Sequence, residues 1–325
     1  MKKIFYSLII VFMIFILSAC KDIEKYSYDM FYMDTHIVVK LYDISKEESD
    51  NLFKEIDNIY SDYHKLTDRY NSYDGIINVY SLNRLKINEE VKIDKKLADL
   101  INYGLEAYKN TDGYINIAMG NVIDMWKSYR EEGKEIPKIF NLMDENITID
   151  YISLNDNVYK RTGDITIDLG AYAKGYVTEL VGKYLEERGY SKYLINAGGN
   201  VKVGKSYKKD KYLIGLEEPF NTSNIYKTLK IENESVVTSG SYQRYYKVND
   251  IIYSHIINPK TLMPDNYTKS VTVITSNSAY ADILSTYLFM LPIEDGIKYV
   301  NNLDDVEAIW YNDDIYYSKG FNKYE

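Results

Sequence analysis

From residue 30 onward, apolar residues recur with two spacings, the alternation of strands and the 3.6-residue period of helices. Residues 31–42 carry β-branched side chains at Thr35, Ile37, Val38 and Val39 and predict a strand. Residues 45–66 place Leu52, Ile56, Ile59 and Tyr60 near helical spacing. A second helix, 96–111, runs through Leu97, Leu100, Ile101, Leu105 and Tyr108 and stops at Asp112-Gly113, where glycine permits a positive φ. Residues 166–169 predict a short strand, followed by a helix over 173–188 that closes at Gly189. Further strands are expected over 193–197, 212–216, 227–231, 235–238 and 271–275, and further helices over 279–290 and 293–301. Helices and strands mix without strict βαβ alternation, which predicts an α+β fold.

The amino terminus has a different pattern. Lys2 and Lys3 precede an apolar run from Ile4 to Leu17, then Leu17-Ser18-Ala19-Cys20. A positive start, an apolar stretch of this length and small residues before the cut describe a secretory leader. The run is short for a spanning helix, which needs about 20 apolar residues. Leu-Ser-Ala-Cys is also the bacterial lipobox pattern, which makes Cys20 the lipidated first residue of the mature protein. The expected organisation is a signal peptide over 1–19, a polar tether over 20–29 and one folded body over 30–325, held at the extracytoplasmic face of the membrane. An uncleaved anchor helix is the other reading, and it leaves the body on the same side. Cys20 is the only cysteine, so an internal disulfide is excluded.

Composition narrows the partners. With 325 residues, 46% hydrophobic and 27% charged, the chain can bury a sizeable core. The formal charge is −9, and a leader holding two lysines and no acid leaves the body more acidic still. Such a surface repels phosphate backbones, so nucleic acid is not an expected partner. The 36 tyrosines are read as replacements for Phe in half-buried strands.

Three segments carry candidate chemistry. In Asp168-Leu-Gly-Ala171-Tyr-Ala-Lys174-Gly175, a carboxylate precedes small residues and a helix start, which offers free N–H groups to an anion. Lys174 can add a point charge to a phosphate. Taken alone, this is equally a tight turn with a surface lysine. Asp282, Ser285 and Thr286 share one face of a predicted helix, and one carboxylate with hydroxyl or carbonyl oxygens is a common Mg²⁺ arrangement. The other reading is an Asp near a helix start with hydroxyls bonding back to the helix. Thr238-Ser239-Gly240 precedes Tyr253-Ser-His255-Ile-Ile257-Asn258-Pro259. Of three histidines, His36 lies in a strand and His64 on a polar helix face, leaving His255 for proton transfer or for a structural role.

Taken in order, these segments resemble the FAD:protein FMN transferase family, once described as thiamine-biosynthesis lipoproteins. The similarity covers residues 31–291: Met33-Asp34-Thr35, Tyr73 to Leu82-Asn83, Asp112-Gly113-Tyr114 through Met125-Trp126, Asp168 to Gly175, Asn196 to Gly199, Thr238 to Gly240, His255 to Pro259, and Ala281-Asp282 to Ser285-Thr286. The chain departs from the pattern at Asn116 and Asn258, where Asp is usual, at Glu179, which replaces a helix Asp, at Ile77-Asn78, which replaces Ser-Glu, and at Leu262, which replaces a turn glycine. The resemblance implies a T-fold-like, two-lobed domain that moves FMN from FAD to a Thr or Ser hydroxyl of an extracytoplasmic acceptor protein and releases AMP. It implies Mg²⁺ held by Asp282, Thr286, Ser285 and the Ala171 carbonyl. It also implies FAD contacts at Met33, Tyr73, Tyr114, Ile115, Asn116, Asp168, Lys174, Thr238 and Ile257, with His255 acting on the incoming hydroxyl. A metal-dependent FAD pyrophosphatase and a non-catalytic FAD-binding lipoprotein are the alternatives.

Overall fold

The computed structural model describes residues 24–133, 135–143 and 145–325, so the leader and Cys20 lie outside the described residues. Its centre is an eight-stranded antiparallel sheet built from Lys25–Tyr32 (β1), Thr35–Tyr42 (β2), Tyr193–Ala197 (β3), Asn200–Val203 (β4), Ser235–Gly240 (β5), Ser270–Thr275 (β6), Glu307–Asn312 (β7) and Asp314–Tyr317 (β8). The strands lie side by side in chain order. Apart from the closing turn Phe321–Tyr324, all other elements are therefore insertions between neighbouring strands, and most of the site comes from those insertions.

β1 corrects the tether, which was expected to reach residue 29. Lys25–Tyr32 pairs with Thr35–Tyr42 along its whole length and buries Met30. Alternating Tyr26, Tyr28, Met30 and Tyr32 suits a half-buried pleat, a pattern that the flanking charges obscure. The turn is Met33-Asp34, both at φ 54, as a two-residue hairpin twisted to match its strands requires.

Between β2 and β3 stand four main helices: Lys46–Thr67 (α1), Lys95–Asn110 (α2), Gly120–Glu132 (α3) and Ala173–Glu187 (α4). Ser45 and Glu48 form a reciprocal capping box at the start of α1, which then buries Leu52, Phe53, Ile56, Tyr60 and Tyr63. The strand expected over 166–169 is instead an extended bridge outside any sheet. Its bonds go elsewhere: Asn83 clamps Ile167 through both amide groups, at 2.7 and 3.0 Å. Between β6 and β7 stand Ser278–Phe289 (α5) and Ile293–Val300 (α6). α5 is buried on nearly all sides, between α4 and the sheet.

One face of the sheet packs on these helices around Ile37, Val39, Tyr193 and Leu284. The other face is covered by the hairpin of Tyr212–Glu218 and Asn221–Ile231 and by Phe321 and Tyr324. A smaller core forms the second lobe, where Trp126 of α3 packs with Tyr246, Leu262 and Leu142. Leu262 keeps the left-handed conformation of the turn, φ 60, that the family's glycine would adopt freely. Its carbonyl accepts the Trp126 indole N–H at 2.9 Å, and its side chain is buried.

Candidate functional site

Between the two lobes lies a cleft of about 1440 Å³. Met33, Tyr73, Tyr114, Ile115, Asn116, Asp168, Ala171, Lys174, Thr238, His255, Ile257, Asp282 and Thr286 all line it. Ser285 does not: it is fully buried behind the wall, its hydroxyl 2.9 Å from that of Ser239 and 3.1 Å from the Asp282 carbonyl. Asp282 starts the last turns of a helix whose i+3 position faces the sheet, and the sequence period alone cannot separate i+3 from i+4. Ser239, which does line the cleft, stands 3.4 Å from the Thr286 hydroxyl and links the two layers.

The deepest wall is the crossing of α4 and α5. A Cβ on Gly175 would lie 2.5 Å from the Asp282 Cβ and 2.6 Å from the Ser278 carbonyl, so only glycine allows this approach. Asp282 Oδ2 accepts the Gly175 N–H at 2.7 Å. Gly175 lies in the first turn of α4, where a helix leaves its amides without an acceptor of its own, and Asp282 supplies one. The first helical bond runs from the Tyr176 N–H to the Tyr172 carbonyl at 3.0 Å, so the Ala171 carbonyl lies ahead of the ladder and accepts no hydrogen bond among the described residues. Burial pushes the Asp282 carboxyl above its usual range, against the opposing pull of Lys174. Lys174 makes no ion pair among the described residues. A buried carboxylate, a hydroxyl and a carbonyl just ahead of the helix form a hard-oxygen set that suits Mg²⁺, which keeps several positions for water and phosphate. Among the described residues, no cluster of three His, Cys, Asp or Glu side chains competes with it.

Glu179 and Lys202 brace this wall from behind. Their ion pair is buried at 3.0 Å, Glu179 also accepts the Ser278 N–H at 2.8 Å, and Lys202 donates to the Ser276 carbonyl at 2.9 Å. The extra methylene of Glu over Asp lets one carboxylate meet both partners.

The opposite wall joins distant segments. The Met33 N–H donates to His64 Nδ1 at 3.3 Å, so Nε2 carries the proton that faces the Tyr73 oxygen at 3.3 Å. Tyr73 in turn donates to Asp68 at 2.8 Å. Asn116 donates to the Ile147 carbonyl at 2.8 Å and accepts the Ala118 N–H at 2.9 Å. The usual Asp could accept but not donate, so this departure fastens two loops. Asn258 does the same, donating to Asp265 at 2.6 Å and accepting the Lys260 N–H at 2.8 Å. Tyr114 meets Tyr287 edge to face at 5.3 Å, and Thr238 shares a 2.8 Å hydroxyl contact with Thr272.

Sequence reasoning missed Arg69. It is buried in the cleft wall and donates to Asp168 at 2.9 Å, to Asp124 at 2.7 Å and to the Gly120 carbonyl at 3.2 Å. It thus fixes the second carboxylate oxygen of Asp168, whose first accepts the Gly170 N–H at 2.8 Å. No local spacing announces a partner 99 residues away.

His255 lies across the cleft on the loop after the hairpin of Tyr245–Val248 and Ile251–Ser254. Its Nδ1 is 3.1 Å from the Arg244 carbonyl, which can only accept, so Nδ1 holds the proton and Nε2 is the lone-pair nitrogen. Burial, then the charges of Lys174 and Arg244, push its pKa down to about 4. The ring is neutral at physiological pH. Lys127, Arg130, Lys174 and Arg244 line the cleft together with Arg69, and Asp34, Asp68, Asp168, Glu217 and Asp282 balance them, so within an acidic protein the cleft carries no formal excess of either sign.

Comparison with known proteins agrees with this geometry. Residues 33–310 match the ApbE family. The FAD:protein FMN transferase of Klebsiella pneumoniae is 30% identical over 298 residues, 89% of this chain and 90% of that protein. That of Haemophilus influenzae is 26% identical, covering 93% and 92%. In fold, the chain is similar to an ApbE protein from Thermotoga maritima, with a TM-score of 0.82 at 21% identity over 93% and 99% of the two chains. It is also similar to the flavin transferase ApbE of Vibrio cholerae, with a TM-score of 0.80 at 21% identity over 93% and 100%.

Proposed function

The chain belongs to the ApbE family, and from that premise we propose that it is an FAD:protein FMN transferase that uses Mg²⁺ and delivers FMN to a Thr or Ser hydroxyl of an acceptor protein outside the cytoplasm. The observation that supports this reading most is the α4–α5 crossing, where the buried Asp282 carboxylate and the Ala171 carbonyl ahead of α4 line the cleft with Lys174. Asp282, Thr286 and the Ala171 carbonyl would hold Mg²⁺, which supplies a positive charge across the FAD pyrophosphate. Lys174 offsets phosphate charge, while Arg69 and the Gly170 N–H hold Asp168 in one orientation.

In the transfer, the acceptor hydroxyl oxygen bonds to the FMN phosphorus as the pyrophosphate P–O bond breaks. AMP leaves with the bridging oxygen, and the hydroxyl proton passes to His255 Nε2. The Arg244 carbonyl holds that imidazole in the tautomer needed to accept it. The test combines the purified protein with FAD, Mg²⁺ and a candidate acceptor, and looks for a flavin-labelled protein band. Free FMN and AMP without a labelled band would identify a pyrophosphatase instead. FAD binding with no AMP at all would leave a flavin-binding protein.

Lipid anchoring at Cys20 belongs to the same proposal, carried by Lys2-Lys3, the apolar run and Leu-Ser-Ala-Cys. The mature protein should begin at Cys20 and partition with membranes, and Cys20→Ala should lose lipid labelling. Intact residues 1–19 on the mature protein would overturn it.

A further inference from the structure

The cleft is larger than one dinucleotide needs, and its surplus has a distinctive wall. Pockets for small ligands and cofactors run to roughly 300–1,000 Å³, below the 1440 Å³ of this open cleft. None of the residues expected to hold FAD or Mg²⁺ comes from the hairpin of Tyr212–Glu218 and Asn221–Ile231, yet Ile214, Gly215, Leu216 and Glu217 all line the cleft. Side chains alternate across a strand, so a cavity facing one side of it would meet every second residue. Four consecutive lining residues mean that the cavity reaches the backbone of this strand and not only the side chains of one face.

One edge of the strand is open. Tyr212–Glu218 belongs to a two-stranded sheet and pairs only with Asn221–Ile231. Among the described residues, no backbone hydrogen bond joins residues 213–217 to anything outside the hairpin. An unpaired edge is a template for another strand, and proteins normally cover or blunt it. Here it has a glycine in the middle. The surrounding surface is apolar as well: Leu213 is 68% exposed, Ile225 52%, Tyr245 43% and Phe220 41%. Phe220, at φ 66 in the hairpin turn, sets its ring against Tyr242 and Tyr245 at 6.3 and 5.3 Å, forming an aromatic rim beside the loop that carries Arg244 and His255.

We propose that residues 213–217 are the docking edge for the acceptor, whose target segment binds as an extended strand added to this hairpin with its hydroxyl directed toward His255. The proposal rests on the transferase reading, because that reaction requires a second, polypeptide substrate to share the cleft with FAD. Main-chain pairing supplies affinity that is indifferent to sequence, and the aromatic rim adds apolar contacts flanking the hydroxyl-bearing residue.

The test uses the full-length enzyme, FAD, Mg²⁺ and a pool of synthetic ten-residue peptides with one central Thr among randomised neighbours. Flavin-labelled peptides are expected. Resynthesising a labelled peptide with N-methyl groups on alternate backbone amides should cut transfer at least tenfold in one of the two methylation registers, because only the N–H groups facing the edge pair with it. Gly215→Pro, checked for folding by circular dichroism, should lower transfer tenfold or more while FAD affinity, read by flavin fluorescence, stays within twofold. Leu213→Asp offers a second variant with the backbone intact, with a smaller fall in transfer expected. Equal transfer to both N-methylated registers, or labelling of a folded protein acceptor with no labelling of any peptide, overturns strand addition. FAD affinity falling in step with transfer in Gly215→Pro would reassign the edge to the flavin. If the wild-type enzyme releases AMP and labels neither peptide nor protein, or releases no AMP at all, it is the transferase reading that fails.

Discussion

The two sides of the cleft are built on opposite principles. The α4–α5 crossing is a packed interior that happens to face a ligand: Glu179, Lys202, Ser278, Asn200, Ser285 and Ser239 form a buried polar network behind Asp282, and Gly175 leaves no room between the helices. The far side is assembled from turns and hairpin edges. Among the described residues, the Arg244 side chain reaches only the Asp34 carbonyl, at 3.1 Å, His255 is oriented by a single carbonyl, and the 213–217 edge has no main-chain partner outside its hairpin. A wall that must place charge on a pyrophosphate gains from being rigid before the ligand arrives, because its dipoles then need no reorganisation. A wall that must admit a macromolecule has to keep groups unpaired. The contrast separates holding the nucleotide from admitting the acceptor.

The largest effects should come from the rigid side. Asp282→Ala should abolish AMP release, a loss of about 10³-fold or more, since a metal's charge stabilisation is worth several kcal/mol. Chelation by EDTA should do the same to the wild type. Thr286→Ala should impair less, because water replaces a neutral ligand more easily than a charged one. Gly175→Ala should lose activity comparably and also destabilise the fold by about 1–3 kcal/mol through overpacking. Thermal melts with AMP assays check both, and wild-type melting of Gly175→Ala would show that the helices can part without harm.

His255→Ala tests the adaptable side. Turnover should fall about 10²–10⁴-fold, the usual worth of general acid–base catalysis, with FAD affinity nearly unchanged. Because its pKa is pushed down to about 4, the acid limb of kcat/KM due to this ring should lie near pH 4 rather than 6.5. Loss of FAD binding in proportion to rate would make His255 a wall of the flavin pocket and erase the proposed division. Asp168 would then be the next base to test.

Smaller effects sharpen the division within the phosphate region. Lys174→Ala should weaken FAD binding roughly 10–100-fold together with the rate, the worth of a charge-assisted contact made already in the ground state. Arg69→Lys keeps the charge but loses the planar fork that spans Asp168, Asp124 and the Gly120 carbonyl. FAD affinity should drop about fivefold, about one hydrogen bond's worth, with the rate at saturating FAD unchanged. Fluorescence titration and single-turnover assays separate the two.

What the sequence made legible tracks the range of the interactions. α1, α2, α4 and α5 carry their signals locally, in periodic Leu and Ile and in caps such as Ser45 and Asn277. α3 was missed because it starts at Gly120 with no side-chain cap and buries only Val122 and Trp126 beyond that glycine. The bridge over 166–169 looked like a strand because its residues suit one, while its hydrogen bonds are taken by Asn83. At the site, short motifs named residues that the fold gathers into one cleft. Arg69, Asp124 and Ser239 act through contacts 46 to 99 residues apart, which no local pattern encodes. Ser285 was grouped with Thr286 by helical period, and burial separated them.

The smallest effect expected is on stability, and it falls again on the adaptable side. His255 has its folded pKa pushed below the ordinary 6.5 to about 4 by burial and by Lys174 and Arg244. Between those values the unfolded chain binds a proton that the folded one refuses, so stability rises with pH across this window. The native state should hold its full stability above pH 6.5 and lose part of it as pH falls toward 4. Carboxylates such as Asp68, whose pKa is lowered, add losses of their own at the acid end of the window. The His255 share is isolated by comparing the wild type with His255→Gln, which keeps a donor for the Arg244 carbonyl but cannot titrate. Going from pH 7 to pH 5, the melting temperature of the variant should fall less than that of the wild type, by about 2–4 °C, the worth of roughly 2 kcal/mol in a chain of this length. Equal falls would mean that the ring is solvated enough to charge in place, and the neutral Nε2 base assigned to it at pH 5 would have to be given up.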